Sequence, residues 1–148
     1  MSNLAENRKA YFDYEILEKF EAGIVLRGFE VKAIKSGRIN IAGSFAIPKN
    51  GEVWLLNADI PPYQPKNTPE GYDPKRSRRL LLKADEAKYL IGKIQSQGLT
   101  LVPVKVYTNH GLIKVELGLG RHRKKSDKRE LIRKRETKKE IAKALKEK

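Results

Sequence analysis

Residues that could do covalent or metal chemistry are sparse: His110 and His122 are the only imidazoles among 148 residues, and there is no cysteine. Two histidines in different elements do not supply the three or four ligands of a zinc site, and disulfide and thiolate chemistry are unavailable. Neither histidine sits in a context that suggests a Ser-His-acid set, although such sets cannot be read from separation in sequence. Glu15, Glu18, Glu21 and Glu30 include spacings suited to an acid–base pair, yet in a chain of net charge +14 they read as surface charges. Gly118-Leu119-Gly120 follows a strand in the manner of a phosphate loop. It lacks a third glycine and a surrounding βαβ unit, and reads instead as a flexible hinge. The residues therefore predict a binding protein, with no catalytic set, no metal and no cofactor.

Charge says what is bound. From Arg121 to Lys148 there are 14 Lys or Arg against five Asp or Glu, nine of the 14 net positive charges. A second basic knot is Lys75-Arg76-Ser77-Arg78-Arg79. Such a balance favours a polyanion, nucleic acid before an anionic membrane. Arg8 and Lys9 near Tyr11 and Tyr14, and Lys105 and Lys114 near Tyr107, suit phosphate neutralisation combined with stacking on bases. No apolar run approaches a membrane span, Met1 to Glu6 lack the pattern of a signal peptide, and cysteine is absent; a soluble, cytoplasmic protein is expected.

The elements that must position these residues follow from periodicity. Phe12, Tyr14 and Ile16 alternate with acids as a strand, and Ile24 to Arg27 form a short strand turning at Gly28. A helix is predicted from Phe29 to Ser36, closed by Gly37. Ser44–Ile47 and Val53–Leu56 flank Asn50-Gly51 as a hairpin. Asn57 to Arg79 carries five of the seven prolines and reads as a long functional loop. After Leu80-Leu81-Leu82, Ala87, Leu90, Ile91 and Ile94 form one stripe of a helix stopped by Gly98. Two strands follow: Thr100–Tyr107, with Val102, Val104 and Val106 on one face and Pro103 at an edge or bulge, and Leu112–Leu117. The fold expected is mainly β: a small OB-like barrel of about six strands with two to three flanking helices over residues 1–120. The tail, 121–148, has too little apolar material to pack. It has no Pro or Gly, and Glu130 stands one helical turn before Lys134, so it should be disordered when free and helical on a partner. An OB-fold ribosomal protein or rRNA-binding assembly factor has the same composition.

Several ordered motifs narrow the reading. Asn7-Arg8-Lys9-Ala10, Glu21-Ala22-Gly23-Ile24, Gly28-Phe29-Glu30-Val31-Lys32, Asp73-Pro74 with Arg76, Arg78 and Leu80-Leu81-Leu82, and Asp127-Lys128-Arg129 resemble, nearly end to end, the SsrA-binding protein (SmpB) family. That resemblance implies an OB-type head binding the tRNA-like domain of tmRNA in bacterial trans-translation. It also implies help with aminoacylation, indirectly involving alanyl-tRNA synthetase through tmRNA, and delivery with elongation factor Tu. The tail would enter the decoding centre and vacant mRNA channel of a stalled ribosome, against small-subunit rRNA.

Carried over by residue, the resemblance implies a tmRNA-binding set of Asn7, Arg8, Lys9, Tyr14, Glu21, Lys32, Arg78, Leu81 and Lys114. It implies a ribosome-directed set of Arg123, Lys124, Asp127, Lys128, Arg129, Ala144 and Leu145. Three positions depart from the family pattern: His122 begins a run that is commonly Gly-Lys-Lys, Ser126 replaces an aromatic or His, and Thr137 replaces a possible Trp. Positive charge survives, but Ser126 cannot stack on a base.

Overall fold

Alternation along the chain builds strands whose inner residues meet in one core. Ile113, Val115, Leu117 and Leu119 all point inward from the last strand, where they pack with Leu55, Leu80, Leu101 and Val106. The computed structural model describes residues 2–146. Its strands are β1 (Ser2–Glu6), β2 (Tyr14–Ile24), β3 (Phe45–Lys49), β4 (Glu52–Leu56), β5 (Arg78–Leu81), β6 (Thr100–Asn109) and β7 (Leu112–His122). Its helices are α1 (Arg8–Asp13), α2 (Gly28–Lys35), α3 (Ala84–Gln97) and α4 (Lys125–Lys146). The last two residues of the expected tail, 147 and 148, lie outside the described residues.

All strand pairs are antiparallel, in the order β1-β6-β3-β4-β5-β2-β7, and β7 pairs back onto β6 to close a ring. Closure at the other edge of β6 is slight: β3 meets it through Ala46 and Leu101, while β1 covers the rest. This is the expected mainly β barrel: six strands, β6-β3-β4-β5-β2-β7, close the ring, and β1 adds a seventh on β6. β1 was missed because Ser2–Glu6 has no alternation of its own and forms by adding to β6.

Local signals explain the elements read correctly. Asn50 and Gly51 both take positive φ in the β3–β4 turn. α3 buries Leu90, packs Ile91 and Ile94 on the core, and ends at left-handed Gly98. α2 contributes Ala33 and Ile34.

Four readings are corrected. Phe12 lies in α1, where Asn7 Oδ1 accepts from the Ala10 amide at 3.3 Å and caps a helix too short to show a period. β2 is one long strand, so Ile24 is its last residue and not the start of another. Val102, Val104 and Val106 do not share a face: a bulge between Pro103 and Lys105 turns Val106 inward while Val102 and Val104 pack outside with Ala10. Gly118-Leu119-Gly120 is not a hinge. It is a paired, buried segment of β7, which runs on to His122. A β-carbon on Gly120 would stand 2.2 Å from the Glu15 carbonyl oxygen, so glycine there permits the close approach of β2.

Candidate nucleic-acid interface

Strand register assembles the expected RNA-binding residues. Leu81 of β5 pairs with Gly23 of β2, Gly23 with Lys114 of β7, and Lys114 with Tyr107 of β6. Cross-strand partners share a face, so these form one row on the outside of the barrel. Gly23 leaves a gap in that row, and Leu81, 48% exposed, leans across it: a β-carbon on Gly23 would be 3.4 Å from Leu81 Cβ. The result is a groove of about 270 Å³ lined by Gly23, Leu26, Val31, Leu81, Leu112 and Lys114. Leu112, at 62% exposed, forms its second apolar wall.

Two residues further along β2 on the same face is Glu21, paired with Glu116. The Tyr107 hydroxyl donates to Glu21 Oε2. Burial, then the hydrogen bond to Glu21 and its charge, push the Tyr107 pKa far above its ordinary value of 10.0, so the hydroxyl remains a donor at any physiological pH. Lys19 reaches Glu116 at 3.6 Å and lies 5.3 Å from the Tyr11 ring centroid. The patch thus offers an open slot with apolar walls, an ammonium for a phosphate and an oriented carboxylate for hydrogen-bond donors on a base edge.

The other expected residues divide. Lys32 is exposed on α2, next to groove-lining Val31, while Arg8 and Lys9 are exposed on α1. Tyr14 is half-buried against the Ala10, Val102 and Val104 cluster and meets the His122 ring edge-on at 5.0 Å.

Asn7 and Arg78 need correction as RNA contacts, because both are buried and committed. Asn7 Nδ2 donates to Pro103 O at 3.0 Å and Ile41 O at 3.3 Å, while Oδ1 caps α1. Arg78 donates to Glu30 at 2.7 Å, to the Ala58, Arg76 and Pro74 carbonyls, and to the Tyr72 hydroxyl. Glu30, read as a surface acid, is fully buried as its counter-ion and is also bonded to Arg76, the Tyr72 hydroxyl and the Arg27 amide. This cluster ties α2 to the loop between β4 and β5. Its signal in the sequence is Arg76 and Arg78, two residues apart beside a loop rich in proline.

The tail forms α4, a 22-residue helix with no buried residue. Arg129, Ala144 and Leu145 are exposed, as is Lys124, whose amide donates to Asp127 Oδ2 at 3.3 Å. Lys128 instead pairs with Asp13 at 3.0 Å, and the Arg123 amide donates to Asp13 O at 2.8 Å. No cluster of three His, Cys, Asp or Glu poised for a metal occurs among the described residues. None of their helices is long and apolar enough to cross a membrane.

Known proteins of similar sequence are numerous. An SsrA-binding protein of Carboxydothermus hydrogenoformans is 52% identical over 142 residues, 96% of this chain and 95% of that one. One from Synechococcus elongatus is 50% identical over 143 residues, covering 97% and 93%. A solved structure described as "tmRNA-SmpB: a journey to the center of the bacterial ribosome" contains a chain 47% identical to this one, with a TM-score of 0.67 over 87% of this chain and 94% of its own. The model of the SmpB protein family matches residues 4–147, and with that near-complete match the chain belongs to the SmpB family.

Proposed function

We propose that this chain binds tmRNA through the groove between β5, β2 and β7 and acts in trans-translation on stalled ribosomes, as a cytoplasmic binding factor with no catalysis of its own. The observation that carries the reading is the row Leu81, Gly23, Lys114 beside Glu21 fixed by Tyr107. Sequence-specific RNA recognition targets splayed bases in loops, which need a slot, an apolar contact and an acceptor for base-edge N–H groups. A carboxylate suits such a site because it accepts from amino and imino groups, and Lys114 offsets a neighbouring phosphate. The names of the relatives, and the pairing of tmRNA with SmpB at the ribosome in the structural neighbour, support the same reading.

The RNA element is the tRNA-like domain, and the head over residues 1–120 stands in for a missing anticodon arm. Binding there supports charging by alanyl-tRNA synthetase and delivery with elongation factor Tu. The tail, 121–148, enters the decoding centre and the mRNA channel. A channel filled with intact mRNA excludes it; an empty one lined by phosphate holds the helix and releases counterions. Arg123, Lys124, Asp127, Lys128 and Arg129 act at the decoding centre, with Ala144 and Leu145 further along the channel. Without a packed face, the distal turns of α4 are marginal in water and form fully on the ribosome.

Gel shifts with tmRNA at fixed salt test the groove. Losing a hydrogen bond to a charged group costs about 1.5–3 kcal/mol, so Glu21→Ala should weaken binding roughly 10- to 150-fold. Leu81→Asp should do likewise, while Lys134→Ala changes affinity by less than about threefold. Equal losses at all three positions would mean unspecific charge attraction.

A further inference from the structure

We propose that Asp13 and Phe12, at the C-terminal end of α1, are positioning residues for the tail: they seat the first turns of α4 and so set the direction in which it leaves the head. The proposal rests on the tail acting at the ribosome, but the seat is argued from geometry alone. β7 stays paired through His122 to Tyr14, and only Arg123 and Lys124 separate it from α4. That short connector is itself fastened: the Arg123 amide donates to Asp13 O at 2.8 Å and its Nε to Tyr11 O at 3.4 Å. The last carbonyls of a helix have no partner within it, so α1 offers acceptors where the connector passes.

Two contacts lie on the helix itself. Lys128 Nζ is 3.0 Å from Asp13 Oδ1 and 5.6 Å from the centre of the Phe12 ring. The Arg135 guanidinium lies 5.8 Å from the same ring. Residues 128 and 135 are two turns apart on one face, about 10 Å along the axis. Lys128 alone would leave α4 free to swivel, whereas two turns of α4 converging on the one Phe12 ring, with the connector fastened at Asp13 O, restrain its direction. Lys128 thereby has two roles in succession: held by Asp13 in the free protein, it must exchange that carboxylate for phosphate to act in the decoding centre.

The chain has no cysteine, so Lys49→Cys and Glu130→Cys place two spin labels uniquely, on the β3–β4 hairpin and on the root of α4. The expected label-to-label distance distribution is narrow in this labelled parent and broad once Asp13→Lys is added, the seated-to-released ratio falling about fivefold. Adding Lys128→Asp to Asp13→Lys should narrow it again, a restoration that mere damage to α1 would not give. Lys128→Glu alone breaks the same contact from the tail, where misfolding of the head is not at issue, and should broaden the distribution too. With Asp13→Lys, tmRNA affinity should stay within about threefold and peptide tagging of stalled ribosomes should fall several-fold. The proposal is overturned by a parent distribution already broad, by one that neither variant broadens, by failure of the charge swap to narrow it, or by tagging that persists at the parental rate once the seat is open. Failure of the tail's ribosomal role would show separately, as tagging that survives removal of α4.

Discussion

Replacing Glu30 with alanine tests the interior on which the groove and the loop between β4 and β5 depend. The carboxylate is fully buried and accepts from Arg78 Nε at 2.7 Å, the Arg27 amide at 2.8 Å, the Tyr72 hydroxyl at 3.0 Å and the Arg76 guanidinium. Its loss leaves the equally buried Arg78 without a counter-charge, which costs about 3–5 kcal/mol. Arg78 keeps three carbonyl acceptors, at Ala58, Arg76 and Pro74, so the lower end, about 3 kcal/mol, is expected. In a chain of this size each kcal/mol moves the melting temperature by roughly 2–4 °C, which gives a fall of about 6–12 °C by circular dichroism. Glu30→Leu with Arg78→Met should recover most of it, because the uncompensated charge is gone. Melting of Glu30→Ala within about 2 °C of the parent, or a double variant less stable than the single, would refute the reasoning.

The same residue predicts a pH dependence. Burial pushes the Glu30 carboxyl up, but the Arg76 guanidinium, the Arg27 amide and the Arg78 guanidinium outweigh it and hold the group below its ordinary value of 4.5. A folded value below the unfolded one contributes stability that is full above about pH 4.5 and is lost as pH falls through the folded value. Parent stability, from urea midpoints, should therefore drop below about pH 4.5 more steeply than that of Glu30→Gln. Gly120→Ala would drive a β-carbon into the Glu15 carbonyl and should destabilise by about 1–3 kcal/mol or more in urea unfolding. Asn7→Ala removes the cap of α1 and the side-chain donor to Pro103 O, while Ile41 O keeps its bonds from the Ser44 amide and hydroxyl; it should cost about 1–3 kcal/mol and lower tmRNA binding only in proportion to the unfolded fraction.

What the chain disclosed beforehand depended on how local each signal was. The β3–β4 turn needed only Asn50-Gly51, α3 its apolar stripe and Gly98, and β7 its alternation, and all three were legible. α1 and β1 were not: one is a single capped turn and a half, the other a strand defined by its neighbour. The faces of β6 were misread because a bulge shifts the period and sequence gives no position for it beyond Pro103. Among site residues, Glu21, Leu81 and Lys114 came together because they sit on adjacent strands of one face. Asn7 and Arg78 were misplaced because a motif does not say whether a polar side chain faces RNA or the protein interior; that is set by Glu30, Tyr72 and the carbonyls around them. The tail's charge was evident at once, but its seat on Asp13 and Phe12 joins residues more than 100 positions apart.

The division between an RNA-selecting head and a ribosome-directed tail is tested most directly by ending the chain at His122, which keeps every pair of β7 and removes α4. At about 0.15 M salt, where exposed charges are screened, the truncated protein should bind tmRNA within about threefold of the full chain and fail to support tagging of stalled ribosomes. Loss of tmRNA affinity, with tagging retained by whatever fraction still binds, would contradict the account.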